Sequence, residues 1–123
     1  MPPRISAFDP LTGKEQWRFA TKYVKQSLLL VTARDLVFDG AMEGDALALD
    51  ARTGRKFSSV NTGGRIASPP VAFSVNGRQV VAIGSGEGSI ADGQVSTYLP
   101  ETRGRQPQSA ATLFVFALPE RSR

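Results

Sequence analysis

Ala7-Phe-Asp-Pro-Leu-Thr-Gly-Lys14 is followed by Trp17 and Thr21, and Ala48-Leu-Asp-Ala-Arg-Thr-Gly-Arg55 by Ser58 and Thr62. The two stretches are one pattern used twice. Asp9 and Asp50 stand 41 residues apart, and Ala7, Thr12, Gly13 and Thr21 recur at the same offset without a gap. Each residue type suits a strand–turn–strand junction. The Asp carboxylate can accept from turn amides, the Thr hydroxyl can add a local bond, and Gly tolerates positive φ. Ala lets a neighbouring layer approach. A period of about forty residues carried by short strand-like segments indicates stacked four-stranded units, the blades of a propeller.

Outward from these junctions, the segments between turn signals read as strands. The expected strands cover residues 4–8, 15–20, 27–32, 36–39, 46–49, 56–61, 69–75, 79–83 and 113–118. Residues 27–32 (Ser-Leu-Leu-Leu-Val-Thr) are apolar enough for a strand buried on both faces. Asn76-Gly77 is a strong hairpin signal. No segment reads as a helix. The expectation is an all-β, antiparallel partial propeller of about two to three four-stranded blades. Residues 4–21 give half a blade, 22–62 a full blade, and 63–118 a last blade with a long inserted loop over 84–111. That loop is rich in Gly, Ser, Gln and Pro, and a loop of this length inside a compact fold is expected to have a function or be disordered. A closed propeller needs about four blades or more, so the array reads as the tail of a larger one.

Composition narrows the chemistry. The chain has 123 residues, no Cys and no His, which removes disulfides, thiol chemistry, His-based triads and His-ligated metals. The formal charge is +4, and eleven of the fifteen basic residues are Arg, scattered from Arg4 to Arg123. A solvated surface accounts for that better than nucleic-acid binding, which would call for a basic stripe with interleaved aromatics. No apolar run reaches the length of a membrane span. The start, Met-Pro-Pro-Arg-Ile5, has no signal-peptide pattern and falls at once into the recurring motif.

The motif resembles the tryptophan-docking element of the quinoprotein dehydrogenases, propeller enzymes that use pyrroloquinoline quinone. Thr62-Gly-Gly-Arg-Ile-Ala-Ser-Pro-Pro-Val71, then Asn76-Gly-Arg-Gln-Val-Val-Ala-Ile83 and Gly84-Ser-Gly-Glu-Gly88, is similar to that family's closing stretch. Thr32 to Gly40 is similar to its Thr-x-Gly-Gly-Leu-Val-Phe-x-Gly, and Leu113 to Leu118 to its last strand. The likeness runs from about Ile5 to Leu118. Three departures stand out. Ser58 replaces a docking Trp, Arg34-Asp35 replaces a Gly-Gly pair, and only Tyr98 supplies an aromatic near the Gly-rich loop.

The resemblance implies a C-terminal part of an alcohol or sugar dehydrogenase, periplasmic in its intact form. In that enzyme the quinone takes two electrons and a proton from an alcohol carbon, with calcium and an Asp base. The catalytic Asp and calcium ligands lie in earlier blades, so no catalytic or metal residue is expected here and this chain alone is expected to bind no cofactor. Gly64, Arg65, Ile66 and Ala67 are the candidate cofactor-binding residues. They would act through main-chain groups, with Ile66 against an apolar ring edge. Against this stands a plain connection between blades.

Competing readings of other residues are weaker. Trp17 could stack on a quinone, but its place in the motif makes it a packing residue. Asp9 and Asp50 could be bases, but they cap turns. Asp35, Asp39, Glu43 and Asp45 lack calcium-loop spacing. Gly84-x-Gly-x-Gly88 lacks the helix that a phosphate cradle needs. The expected partners are the remaining blades, or other copies through exposed strand edges, with no nucleic acid and no membrane span. A non-catalytic propeller that acts as a protein-binding scaffold, and an open sheet that self-associates, are the alternatives to the enzyme.

Overall fold

A computed structural model describes residues 3–22, 29–41, 44–86, 97, 100 and 111–119. Its elements are the strands β1 (Arg4–Phe8), β2 (Glu15–Ala20), β3 (Leu30–Val31), β4 (Leu36–Gly40), β5 (Asp45–Asp50), β6 (Lys56–Asn61), β7 (Val71–Val75), β8 (Arg78–Ser85) and β9 (Thr112–Ala117). They form three antiparallel sheets in the orders β1-β2, β3-β4-β5-β6 and β7-β8-β9. The chain is therefore all-β, built from blade-like sheets in which each strand pairs with its neighbour in sequence. No described helix is long and apolar enough to cross a membrane.

The two quoted junctions adopt the same geometry. Leu11 N–H donates to Asp9 Oδ1 and Arg52 N–H to Asp50 Oδ1, both at 2.8 Å. Gly13 N–H donates to Asp9 O and Gly54 N–H to Asp50 O, again at 2.8 Å. Lys14 and Arg55 amides reach the Thr12 and Thr53 hydroxyls at 3.3 and 3.2 Å. Gly13 and Gly54 have φ of 70° and 74°, the left-handed region that a Cβ disfavours. Even the irregularity recurs. The β1–β2 register shifts between Ala7 and Phe8, and the β5–β6 register between Ala48 and Leu49. A bulge at this point bends and twists the strand pair as it leaves the turn.

The four-stranded sheet is the middle layer, and alternation along its central strands feeds two cores. Val37 and Leu49 face β1–β2 and pack with Ile5, Trp17 and Phe19. Phe38 and Ala46 face β7–β9 and pack with Ile66, Val81 and Ile83. Within β7–β9, Ala72, Val81 and Phe116 lie abreast in the ladder on the core side.

Two expectations need correction. The strand expected to be buried on both faces, 27–32, is described only from Leu29. Leu29 and Val31 are exposed there, because β3 is the edge of its sheet and not its centre. Central position puts β4 and β5 in the doubly buried place instead. The loop expected over 84–111 begins later, because Gly84 and Ser85 continue the ladder opposite Leu113 and Thr112. Residues 87–96, 98, 99 and 101–110 of that loop, with Gly88 and Tyr98, lie outside the described residues. So do Ser27 and Leu28.

Candidate functional site

The segment from Thr62 to Ser68 leaves β6, crosses from the middle sheet to the last one and leads into β7. Thr62 anchors its start. Its N–H donates to Gly44 O at 2.8 Å. Its hydroxyl lies 2.8 Å from Gly44 O, 3.0 Å from Gly64 O and 2.8 Å from the Ser85 hydroxyl. A hydroxyl has a single hydrogen to give. With two carbonyls facing it, Thr62 directs its one hydrogen toward them, shared between Gly44 O and Gly64 O, and so accepts from the Ser85 hydroxyl. This ties the β4–β5 turn, the crossing segment and the end of β8 together.

The four candidate residues follow directly. Gly64 is buried, and its carbonyl sits against Gly44, where an added Cβ would stand 2.6 Å away. Arg65 is 4% exposed, and its carbonyl accepts from Gly86 N–H at 2.8 Å. Ile66 has no exposed surface; its amide donates to Ala41 O at 3.3 Å, and its side chain fills the space beside Gly40. Ala67 is half-buried. The segment is brought together as one packed crossing. Three of its polar main-chain groups are held: Gly64 O by the Thr62 hydroxyl within the segment, and Arg65 O and Ile66 N–H by Gly86 and Ala41 at the ends of neighbouring strands. The Ile66 side chain is spent in the core between the middle and last sheets.

The other residues singled out from sequence sit elsewhere. Asp9 and Asp50 are turn caps. The Trp17 ring lies over Gly54, and its Nε1–H donates to Ala51 O at 2.8 Å. Asp35 has a φ of 57° in the β3–β4 turn, Asp39 is fully buried in β4, and Asp45 Oδ1 accepts from Asn61 Nδ2 at 2.9 Å. Glu43 lies outside the described residues. Among the described residues no three acidic side chains gather as metal ligands. A flat quinone needs apolar surface on both faces and groups that hold its oxygens. Trp17 is committed to Gly54 and Ile66 to the core. The described residues therefore do not by themselves fit the quinone or its calcium ion.

Sequence reading missed the Thr62–Ser85 pair and the Glu15 cluster. Glu15 accepts from Ser6 at 2.7 Å and pairs with Arg18 and with Arg4. The Ser6 hydrogen bond is the largest influence on its carboxyl; desolvation opposes it, and Arg18 and then Arg4 add to it, so the group is held below the ordinary value of 4.5. Antiparallel pairing places Ser6 opposite Arg18, so alternation of polar residues on β1 and β2 was the available signal.

No family model matches the chain. Among known proteins it is similar to the 1-butanol dehydrogenase (cytochrome c) of Thauera butanivorans, with 34% identity over 94% of this chain and 16% of the relative. Its structure is similar to the quinohemoprotein alcohol dehydrogenase from Comamonas testosteroni, with a TM-score of 0.74 and 25% identity over 98% of this chain and 17% of that one. It is also similar to a europium-containing methanol dehydrogenase, with a TM-score of 0.73 and 30% identity over 90% of this chain and 22% of that one. The chain thus spans a small part of the length of the proteins it matches. It is a homologue of one propeller segment of the quinoprotein alcohol dehydrogenases.

Proposed function

We propose that this chain supplies scaffold blades, and one rim of the cofactor pocket, to a periplasmic dehydrogenase that oxidises an alcohol or sugar with pyrroloquinoline quinone. The observation that carries the reading is the match to such enzymes along nearly the whole chain, in sequence and in fold. When bound, the quinone accepts the two electrons of the oxidation. This chain's own part is mechanical. The Trp17–Gly54 contact would serve as the family's tryptophan-docking joint and fix the angle between adjacent sheets. The Thr62–Ser85 hub would hold the crossing segment rigid, so that the main chain from Gly64 to Ala67 could border the pocket. Remaining blades from elsewhere would supply the base, the metal ligands and the second face of the ring.

A chimera tests this reading. Residues 1–123 would replace the matching segment of the Thauera butanivorans 1-butanol dehydrogenase, and quinone uptake and dye-linked alcohol oxidation would be measured. A folded chimera that takes up quinone and turns over is the expected result. A folded chimera that takes up no quinone would overturn the assignment.

A further inference from the structure

Arg34 stands where the resembling enzymes have glycine, and the proposed function gives it no task. In the structure it lines an open cleft of about 540 Å³ with Ser74, Asn76, Gly77, Arg78, Gln79 and Pro119. Three elements meet there: the β3–β4 turn, the β7–β8 hairpin and the end of β9. Asn76 and Gly77 have φ of 49° and 77°, the paired positive angles of a type I′ turn, which keep the hairpin tip narrow beside the cleft.

The two guanidinium groups are held at neighbouring carbonyls. Both terminal nitrogens of Arg34 lie 3.3 Å from Pro119 O, a long, shared contact that leaves the fork unsaturated. Arg78 Nε donates to Leu118 O at 2.9 Å, and among the described residues its terminal nitrogens have no acceptor. Two cationic forks are thus anchored through consecutive carbonyls, with N–H groups left to give. Asp35, the acid next in sequence, lines an adjoining cleft with Asp50 and Arg52, and Arg34 and Pro119 border both clefts. Among the described residues, no acidic side chain lines the cleft that Arg34 and Arg78 share.

We infer that this cleft binds a small oxyanion, a carboxylate or phosphate group, through the paired forks of Arg34 and Arg78. A guanidinium gives two parallel N–H bonds to such a group, and pre-anchored forks lose little side-chain freedom on binding. The inference does not depend on the dehydrogenase reading.

The test is to titrate the full 123-residue chain with inorganic phosphate, and separately with succinate, at low ionic strength. Amide NMR shifts at Asn76 and Gly77 report occupancy. Saturable shifts are expected, with Arg34→Gln and Arg78→Lys each weakening binding about tenfold or more. Added sodium chloride should weaken it as well, because the cleft is open to solvent. Arg52→Gln, in the neighbouring cleft, should leave binding unchanged. Saturation by both anions would mean recognition of the oxyanion itself, and saturation by one would name the class. Absence of saturable shifts with either, equal binding by Arg34→Gln, or an equal loss from Arg52→Gln would overturn the inference.

Discussion

The Trp17 indole lies on Gly54 so closely that a Cβ at residue 54 would stand 2.5 Å from Cε3. The same residue must hold a φ of 74°. Gly13 shares the second demand at 70° but has nothing within 4 Å of its would-be Cβ. Two glycines equivalent in sequence therefore carry different loads, one conformational and one both conformational and steric.

Gly13→Ala and Gly54→Ala separate these loads. Gly13→Ala should cost about 1 kcal/mol, the penalty of a side chain at positive φ. Gly54→Ala should cost a further 1–3 kcal/mol or so, because the ring must shift or the sheets must part. Urea denaturation of the two variants measures both terms. Equal losses would mean that the indole moves aside freely.

Trp17→Ala should destabilise by about 3 kcal/mol, through lost packing against Ile5, Val37 and Leu49 and the orphaned Ala51 carbonyl. Ser58, its counterpart in the next sheet, is exposed beside an apolar cleft of about 230 Å³ that includes Ala48, Phe116 and Leu118. Ser58→Ala should change little, and Ser58→Trp should raise the melting temperature by filling that cleft. A drop in melting temperature on Ser58→Trp would show that the cleft cannot accept an indole.

The turns and the sheets were legible in the sequence because they rest on local chemistry. Asp, Thr and Gly at fixed spacing specify the hydrogen bonds of a turn without help from elsewhere. What was not legible depends on layers meeting. Which strand of the middle sheet would be central could not be read from the Leu-Leu-Leu-Val run, since apolar content does not separate an edge from a centre. The resemblance implied a ring contact for Ile66; its packing between the middle and last sheets depends on residues distant in sequence and left no local pattern. The pairing of Thr62 with Ser85, and of Arg34 with Pro119, spans long stretches of chain and leaves no pattern in a single sequence.

Glu15 sets an acid limit on the first sheet. Its folded-state value lies below the ordinary 4.5, so the unfolded chain takes up its proton first as pH falls. The stabilisation is complete above the unfolded value and is lost as pH falls through the folded one. Glu15→Gln should therefore melt lower than the parent at pH 7, and the gap should close at the acid end. Thermal melts of both proteins across pH 2.5–7, about two units either side of the ordinary carboxylate range, check the sign. A gap that widens toward acid would show that Glu15 is destabilising in its charged form.

Titration of the isolated chain with pyrroloquinoline quinone and calcium, followed by an alcohol and an electron-accepting dye, should give neither turnover nor tight binding. The argument is by subtraction. Oxidation by the quinone requires a base, a divalent ion and a clamp on both faces of a flat ring. The sequence has no His or Cys, and the described acidic side chains do not gather as ligands. Trp17 and Ile66, the apolar groups nearest to such a task, are held by Gly54 and by the core. The outer edge of β9 pairs with no other described strand, and the outward face of its sheet carries Val71, Phe73, Val75, Leu113 and Val115 exposed. Such a surface favours association with another sheet over a formed axial pocket. Added partner segments that cover this face should therefore be a condition of quinone uptake. Saturable submicromolar binding by the chain alone, or dye reduction above a buffer control, would mean that these residues build a complete site, and the scaffold reading would fall.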